Sequence, residues 1–225
     1  MMRFLTVSDE VVPAIYSLSI KDRFPDVEVV LGCGDLQPYY LEFIVTMLAV
    51  PCFYVQGNHD RVEYSESGEE INAPRGCTSL EGRSVSHAGL LLAGLGGSIR
   101  YNKGTGAQYT ESEMLIRVWR LAPRLLVNRL RYGRYLDILL THAPPLGIHN
   151  GPDFPHRGFR ALLTFMDRFA PRYLIHGHIH RSYGFSAVTE TRYKRTMVLN
   201  TAGYRLLTVA APAPGRATPA DSEAS

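Results

Sequence analysis

Gly57-Asn58-His59-Asp60 gathers an amide oxygen, an imidazole and a carboxylate into consecutive positions, behind a glycine that lets backbone approach a ligand closely. Such a stretch can hold a cation or move a proton; standing alone it is equally an ordinary polar turn. Four other places repeat the pattern. Ser8-Asp9, Gly34-Asp35, Thr141-His142 and Gly177-His178-Ile179-His180 each follow a short β-prone run, as Gly57 follows Cys52-Phe53-Tyr54-Val55. Five strand-like segments ending in oxygen or imidazole donors point to one convergent site. Carboxylate, amide and imidazole donors without thiolate suit divalent ions such as Mn²⁺, Fe²⁺, Zn²⁺ or Mg²⁺. The two imidazoles of Gly177-His178-Ile179-His180 can touch two ions about 3.5–4 Å apart, with Asp35 as the natural carboxylate bridge. A pair of that kind converts a bridging water to hydroxide and neutralises charge on a phosphoryl oxygen during in-line attack.

The elements that must carry these donors alternate. Residues 4–7, 27–31 and 52–55 read as buried strands. Residues 14–24, after Pro13, read as a first crossover helix, and residues 38–50 as a second, with Leu41, Ile44, Val45 and Leu48 at helical spacing. Strand, helix, strand, helix, strand implies parallel pairing with right-handed crossovers. In such sheets ligands bind outside the carboxyl ends of the strands, where Asp9, Asp35 and Asn58 fall. Farther along, residues 83–87 and 90–93 form a hairpin around Gly89, leaving through a Gly96-Gly97-Ser98 loop. Thr110 with Glu113 is a capping box opening a helix through Met114, Leu115, Val118 and Leu121; Pro123 is expected to end or kink it, with residues 125–131 as a second piece. Arg117, Arg120, Arg124, Arg129, Arg131 and Arg134 read as a solvated basic face, the alternative being that part of it greets an anionic ligand. Residues 136–140 form the strand that delivers His142, residues 159–169 a helix, and residues 173–175 the strand leading to His178. Residues 183–188, 196–199 and 206–209 are expected to close the fold as an antiparallel meander. From Ala211 onward Ala, Pro, Ser and Gly dominate, so residues 1–210 are expected to form the domain and residues 211–225 a disordered tail.

Composition narrows the class. A chain of 225 residues, 45% of them apolar, suits one domain with a sizeable core. A net charge of +3 from scattered Lys and Arg indicates neither nucleic acid nor a membrane as partner, and leaves small anionic substrates compatible. Cys33, Cys52 and Cys77 are odd in number and widely spaced, which argues against a disulfide framework and fits a reducing cytoplasm. No apolar run reaches membrane-spanning length, and the few residues before the first strand are too short for a signal sequence.

Taken together, Asp9, Gly34-Asp35, Gly57-Asn58-His59-Asp60, His142 and Gly177-His178-Ile179-His180 resemble the ordered motifs of the calcineurin-like metallophosphoesterase superfamily. Thr141-His142-Ala143-Pro144-Pro145 with the later Gly-His-Ile-His also resembles its class III cyclic-nucleotide-phosphodiesterase-like branch. The resemblance implies an α/β fold, a four-layer sandwich of two mixed β-sheets flanked by helices. It implies a metal-dependent hydrolase of small phosphoesters, diesters favoured, with two divalent ions, Mn²⁺ or Fe²⁺/Zn²⁺. Asp9 and His180 would hold the first ion, Asp35 would bridge, and Asn58, His142 and His178 would complete the second site. His59 would serve as general acid, with Asp60 orienting it, and Asn58 and His59 would also meet the substrate. From the residues themselves, the loop at Gly97 with Tyr101 and Asn102 is either a pocket wall or a plain hairpin exit. His149 and His156, in a Gly/Pro-rich loop beyond His142, are candidates for substrate contact. His87 and His176 read as structural histidines.

One position departs from the family pattern. Where the family reads Asp, any residue, His, this chain has Asp9-Glu10-Val11, so the first metal site has one protein ligand fewer and is expected to be weak. Glu10 or water could fill the gap. The alternative is a binding or scaffold protein that kept the sandwich and lost the chemistry.

Overall fold

Neighbouring side chains along the apolar runs enter different cores. Phe4 faces one and Leu5 another; Val29 and Leu31 share the first while Val30 enters the second; Leu90 and Leu92 face one way and Leu91 and Ala93 the other. A strand turns successive residues to opposite faces, so a continuous apolar run means that both faces are covered. The computed structural model describes residues 1–60, 63–64, 67–68, 70–102, 106–180 and 188–210.

In chain order the elements are β1 (Met2–Ser8), α1 (Ile20–Arg23), β2 (Val29–Gly32), α2 (Pro38–Leu48), β3 (Cys52–Tyr54), β4 (Glu63–Tyr64), β5 (Glu70–Ile71) and β6 (Cys77–Ser79). There follow β7 (Ser84–His87), β8 (Leu90–Leu95), β9 (Ser98–Ile99), β10 (Gln108–Tyr109), α3 (Glu111–Tyr132) and β11 (Ile138–Thr141). Last come α4 (Arg160–Phe169), β12 (Tyr173–His176), β13 (Glu190–Tyr193), β14 (Thr196–Asn200) and β15 (Gly203–Val209). One sheet runs β15-β1-β2-β3-β6 and the other β13-β14-β12-β11-β8-β7, with β4 and β5, and β9 and β10, as separate short pairs. Both large sheets are mixed: β1, β2, β3 and β6 are parallel with antiparallel β15 at the edge, and β8, β11, β12 and β14 are parallel with β7 and β13 antiparallel at the two edges.

Three cores separate four layers. The middle one joins the sheets through Phe4, Leu31, Phe53, Leu92, Leu140 and Ile175. Another packs α1 and α2 on the first sheet through Leu5, Ile20, Tyr40 and Ile44. The third packs α3 and α4 on the second sheet through Val118, Leu121, Leu139, Phe165 and Leu174. The expected α/β sandwich of two mixed sheets flanked by helices is the observed one.

Several local expectations are corrected. The first crossover is not a helix over residues 14–24; only Ile20–Arg23 is helical, preceded by turns in which Ser17 Oγ accepts the Ser19 N–H at 3.3 Å. Serine hydroxyls compete in this way for the backbone groups a helix needs. Pro123 neither ends nor divides α3, which is continuous for 22 residues. The missing donor is the one that would meet the carbonyl of Trp119, a half-exposed residue on the solvent side, while Met114, Val118, Leu121, Ala122 and Leu125 keep the opposite face buried. The capping box at Thr110 and Glu113 is present. Helix α4 lacks a side-chain cap of its own; the Glu111 carboxylate supplies one, accepting the N–H of Arg160 at 3.1 Å and of Ala161 at 2.5 Å. The closing stretches do not form a meander: β14 pairs with β13 and β12, while β15 crosses to pair with β1. Residues 183–187 of the first closing stretch, and the tail from Ala211, lie outside the described residues. No helix among the described residues is long and apolar enough to cross a membrane.

Candidate metal centre

Three strand exits bend through backbone conformations that non-glycine residues rarely adopt. Asp9 after β1, Asp35 after β2 and His178 after β12 have φ of 70°, 54° and 66°. Left-handed backbone costs a residue with a Cβ of order 1 kcal/mol, and hydrogen bonds between the exits hold it there. The Asp9 N–H donates to the Gly34 carbonyl at 3.2 Å and the Gly177 N–H to the His142 carbonyl at 3.0 Å. The His59 N–H donates to Asp35 Oδ1 at 2.7 Å, and the His178 N–H to both carboxylate oxygens of Asp9 at 3.0 Å. The loops crowd so closely that a Cβ on Gly57 would lie 2.0 Å from Asp35 Oδ1, and one on Gly177 1.8 Å from Ser8 Oγ.

This crowding brings donor atoms of Asp35, His142 and His178 within 4.8 Å of one another. His142 is fully buried, with Nδ1 2.8 Å from the Cys33 carbonyl oxygen. A carbonyl only accepts, so Nδ1 carries the proton. Nε2 then faces Asn58 Oδ1 at 3.0 Å and Asp35 Oδ2 at 3.4 Å. A neutral ring would set lone pair against lone pairs; the arrangement calls for positive charge between them, a second proton or a cation. Burial pulls the His142 pKa down, but the charge and hydrogen bond of Asp35 and the charge of Asp9 outweigh it and raise it to about 9. For Asp35, burial pushes upward and the same His142 contact, with the His59 N–H, wins by holding the carboxyl well below its usual range. His178 is set up alike: Nε2 donates to the Pro155 carbonyl at 3.0 Å, leaving Nδ1 as the acceptor, and burial together with His142 lowers its pKa to about 3. Imidazoles that each give one N–H to a backbone carbonyl and keep the other nitrogen as an acceptor within a cluster that includes a carboxylate have the arrangement of metal-ligating histidines, so the donor set fits a divalent ion.

Toward Asp9 the donors thin out. Burial raises the Asp9 pKa above its ordinary value, and His180 Nε2 stands 3.8 Å from Asp9 Oδ1. Val11 is 38% exposed, and the Glu10 carboxylate lies against Gly203, where an added Cβ would come within 2.7 Å of it, not among the three clustered donors.

His59 is exposed, its Nε2 3.2 Å from the Tyr101 hydroxyl. That hydroxyl also accepts from Asn58 Nδ2 at 3.3 Å. Asp60 does not take the place beside the His59 ring. Its carboxylate receives the backbone N–H groups of Gly57 and Asp35, and desolvation together with the Asp35 charge pushes its pKa up to about 6. Gly97 joins the wall: its N–H donates to the Gln56 carbonyl at 2.8 Å, and its carbonyl accepts from Ala143 N at 3.4 Å. His149 turns inward, Nδ1 3.0 Å from His176 Nε2 and Nε2 2.9 Å from Thr191 Oγ1, so both nitrogens are engaged away from solvent. His156 pairs with Asp153 at 2.7 Å and lays its ring 5.1 Å from that of His178. His87 packs on Phe53, centroids 5.4 Å apart.

Glu81 and Arg117 support the site from outside the donor set. Glu81 Oε1 accepts the N–H of Gln56 at 3.1 Å and of Gly96 at 2.9 Å, while Arg117 pairs with Oε2, donates to the Gly96 carbonyl at 2.8 Å and lies 4.0 Å over the Tyr109 ring. Arg117 is therefore no part of a solvated face. It fastens the loop before Gly57 to the loop before Tyr101.

A family model described as calcineurin-like phosphoesterase matches residues 13–182. A UPF0046 protein of Caenorhabditis elegans is 26% identical over 180 residues, which is 71% of this chain and 59% of the length of that relative. A second UPF0046 protein of the same organism is 37% identical over 70 residues, 29% of this chain and 17% of that one. Among solved structures, TT1561 of Thermus thermophilus superposes with a TM-score of 0.56 at 14% identity, covering 90% of this chain and 89% of that one, a likeness of fold.

Proposed function

The chain belongs to the calcineurin-like phosphoesterase family, and from that premise we propose that it is a metal-dependent hydrolase of phosphoesters that prefers diesters. The observation that carries this reading is the Asp35, His142 and His178 cluster, whose donor atoms lie within 4.8 Å of one another. Asp35, Asn58, His142 and His178 would hold one ion; Asp9 and His180, sharing Asp35, would hold the other. Divalent ions there supply charge neutralisation for the phosphoryl oxygens and lower the pKa of water toward neutrality. The chain's own part is to place and protonate. Asn58 is held by His142 and Tyr101, His59 is held by Asp35 through its backbone and by Tyr101 through its ring, and the ring hands a proton to the departing oxygen.

Small phosphorylated substrates and a reducing, cytoplasmic setting belong to the same reading; Cys33, Cys52 and Cys77 are all unpaired.

One observation favours a rival, a binding or scaffold protein on the same fold: Val11 stands where the family places an imidazole, and the Asp9 carboxylate is already engaged by the His178 N–H. Assaying bis-nitrophenyl and mono-nitrophenyl phosphate with Mn²⁺-loaded protein separates the two. The hydrolase reading expects faster turnover of the diester, abolished in H142A. No turnover of either ester with any divalent ion would favour the scaffold.

A further inference from the structure

At the end of the second sheet opposite the metal centre, where β11 and β12 begin, two grooves adjoin. One of about 390 Å³ is lined by Arg129, Arg134, Arg168 and Arg195 beside Tyr135 and Phe169. The other, of about 300 Å³, is lined by Arg172, Arg192 and Arg195 beside Tyr173. Arg195 belongs to both, so the grooves form one track. We propose that this arginine-lined face binds a single strand of nucleic acid, its guanidinium groups taking successive phosphates and, where they lie over tyrosine rings, presenting their planes to the bases.

The charge balance along the track carries the argument. Two carboxylates lie there and both are matched: Asp167 by Lys194 at 2.6 Å, and the buried Asp137 by Arg134 at 3.0 Å with Arg172 at 3.6 Å. Among the described residues no carboxylate pairs with Arg129, Arg168, Arg192 or Arg195. Arg129 and Arg168 sit in the last turns of α3 and α4, where a cation also complements the helix dipole. Arg192 in β13 and Arg195 just before β14 have no helix end to serve. The modest net charge of +3 thus conceals a local excess. The rings fit the same partner. Arg129 stands 5.9 Å over Tyr135, Arg172 5.8 Å over Tyr173 and Lys194 5.3 Å over Tyr193. All three tyrosines are half-buried. Guanidinium planes held over half-buried rings suit an unpaired strand, whose bases can stack on them, better than an acidic peptide, which offers charge alone.

The test uses the full chain, with chelator present so that the metal centre neither cuts nor holds the probe. A fluorescein-labelled oligouridylate is titrated by anisotropy across a salt series, against wild type, R192Q/R195Q, H142A and the control K21Q/R23Q. The control removes equal charge from the exposed helix α1. The proposal expects binding that weakens with salt and survives in H142A and K21Q/R23Q. In R192Q/R195Q it expects affinity lower by about 10-fold and a slope of log affinity against log salt shallower by about 1.4, two phosphate contacts on a single strand. Thermal melting of R192Q/R195Q should match wild type. No binding at low salt, equal loss in K21Q/R23Q, loss in H142A instead of R192Q/R195Q, or tighter binding of a poly-glutamate peptide than of the oligouridylate would each overturn it. None of these outcomes bears on hydrolysis at the metal centre.

Discussion

The Tyr101 hydroxyl stands 3.2 Å from Nε2 of His59. It also accepts from the amide of Asn58, so one phenol fixes both the proposed proton donor and a proposed metal ligand. Tyr101→Phe removes that bond and keeps the ring. We expect kcat for a diester to fall about 10-fold, part of the 10²- to 10⁴-fold that general acid catalysis supplies. KM should change little. A wild-type kcat in Y101F would show that the contact does not orient His59.

Glu81 should matter to both stability and rate although it touches none of the candidate metal ligands. Its carboxylate satisfies the N–H groups of Gln56 and Gly96 and pairs with Arg117, the two side chains being 24% and 16% exposed. Glu81→Ala orphans these groups and should cost about 2–3 kcal/mol, while Glu81→Gln, which keeps the acceptor, should cost about 1 kcal/mol. Urea denaturation measures both. Equal costs would mean that the Arg117 charge, not the backbone N–H groups, is what Glu81 serves.

The His149 and His176 pair makes the fold acid-sensitive. Burial lowers the native pKa values to about 4 and about 3, the second helped by the neighbouring imidazole. Unfolding returns both rings to an ordinary value near 6.5, so below that pH the unfolded chain takes up protons that the native one refuses. The pair's contribution is complete above about pH 6.5 and is lost as pH falls, by about 1.4 kcal/mol per pH unit for each imidazole down to about pH 4. The stability advantage of wild type over H149Q/H176Q should therefore shrink between pH 6.5 and 4. An advantage independent of pH would contradict the buried neutral pair.

Metal should leave in two stages. Asp35, Asn58, His142 and His178 converge on one position, whereas the other rests on Asp35, Asp9 and a His180 that lies 3.8 Å from Asp9. Titrating chelator against Mn²⁺-loaded protein should release about one equivalent before the other, with hydrolysis falling at the first release, because two-metal chemistry needs both. Joint loss of two equivalents would mean that another group has replaced the imidazole absent at Val11.

The strand-end donors were legible because each follows an apolar run, and runs buried on both faces are what parallel strands look like in sequence. Asp35, His142 and His178 could be foreseen together for that reason. Residues 14–24 misled because Ile15, Leu18 and Ile20 mimic helical spacing while Ser17 and Ser19 bond locally instead. Pro123 misled in the other direction, since the buried face of α3 outweighs one lost bond. Membership of β15 in the first sheet depends on a crossover that no local pattern encodes. The supports of the site were also hidden. The carbonyls of Cys33 and Pro155, which fix the rings of His142 and His178, belong to the backbone, and Glu81 is one acidic residue in a turn until the fold brings Gln56 and Gly96 to it.

Equilibrium dialysis of the chelator-stripped chain against Mn²⁺ tests the central claim most directly, because it reads the metal without requiring a substrate. Wild type should retain at least about one ion per chain, and H142A and H178A should each lose it while melting as folded proteins, since each removes one of the three clustered donors. Undiminished Mn²⁺ in both variants, or none in wild type at any concentration that leaves the protein in solution, would contradict the assignment of Asp35, His142 and His178 as a metal centre.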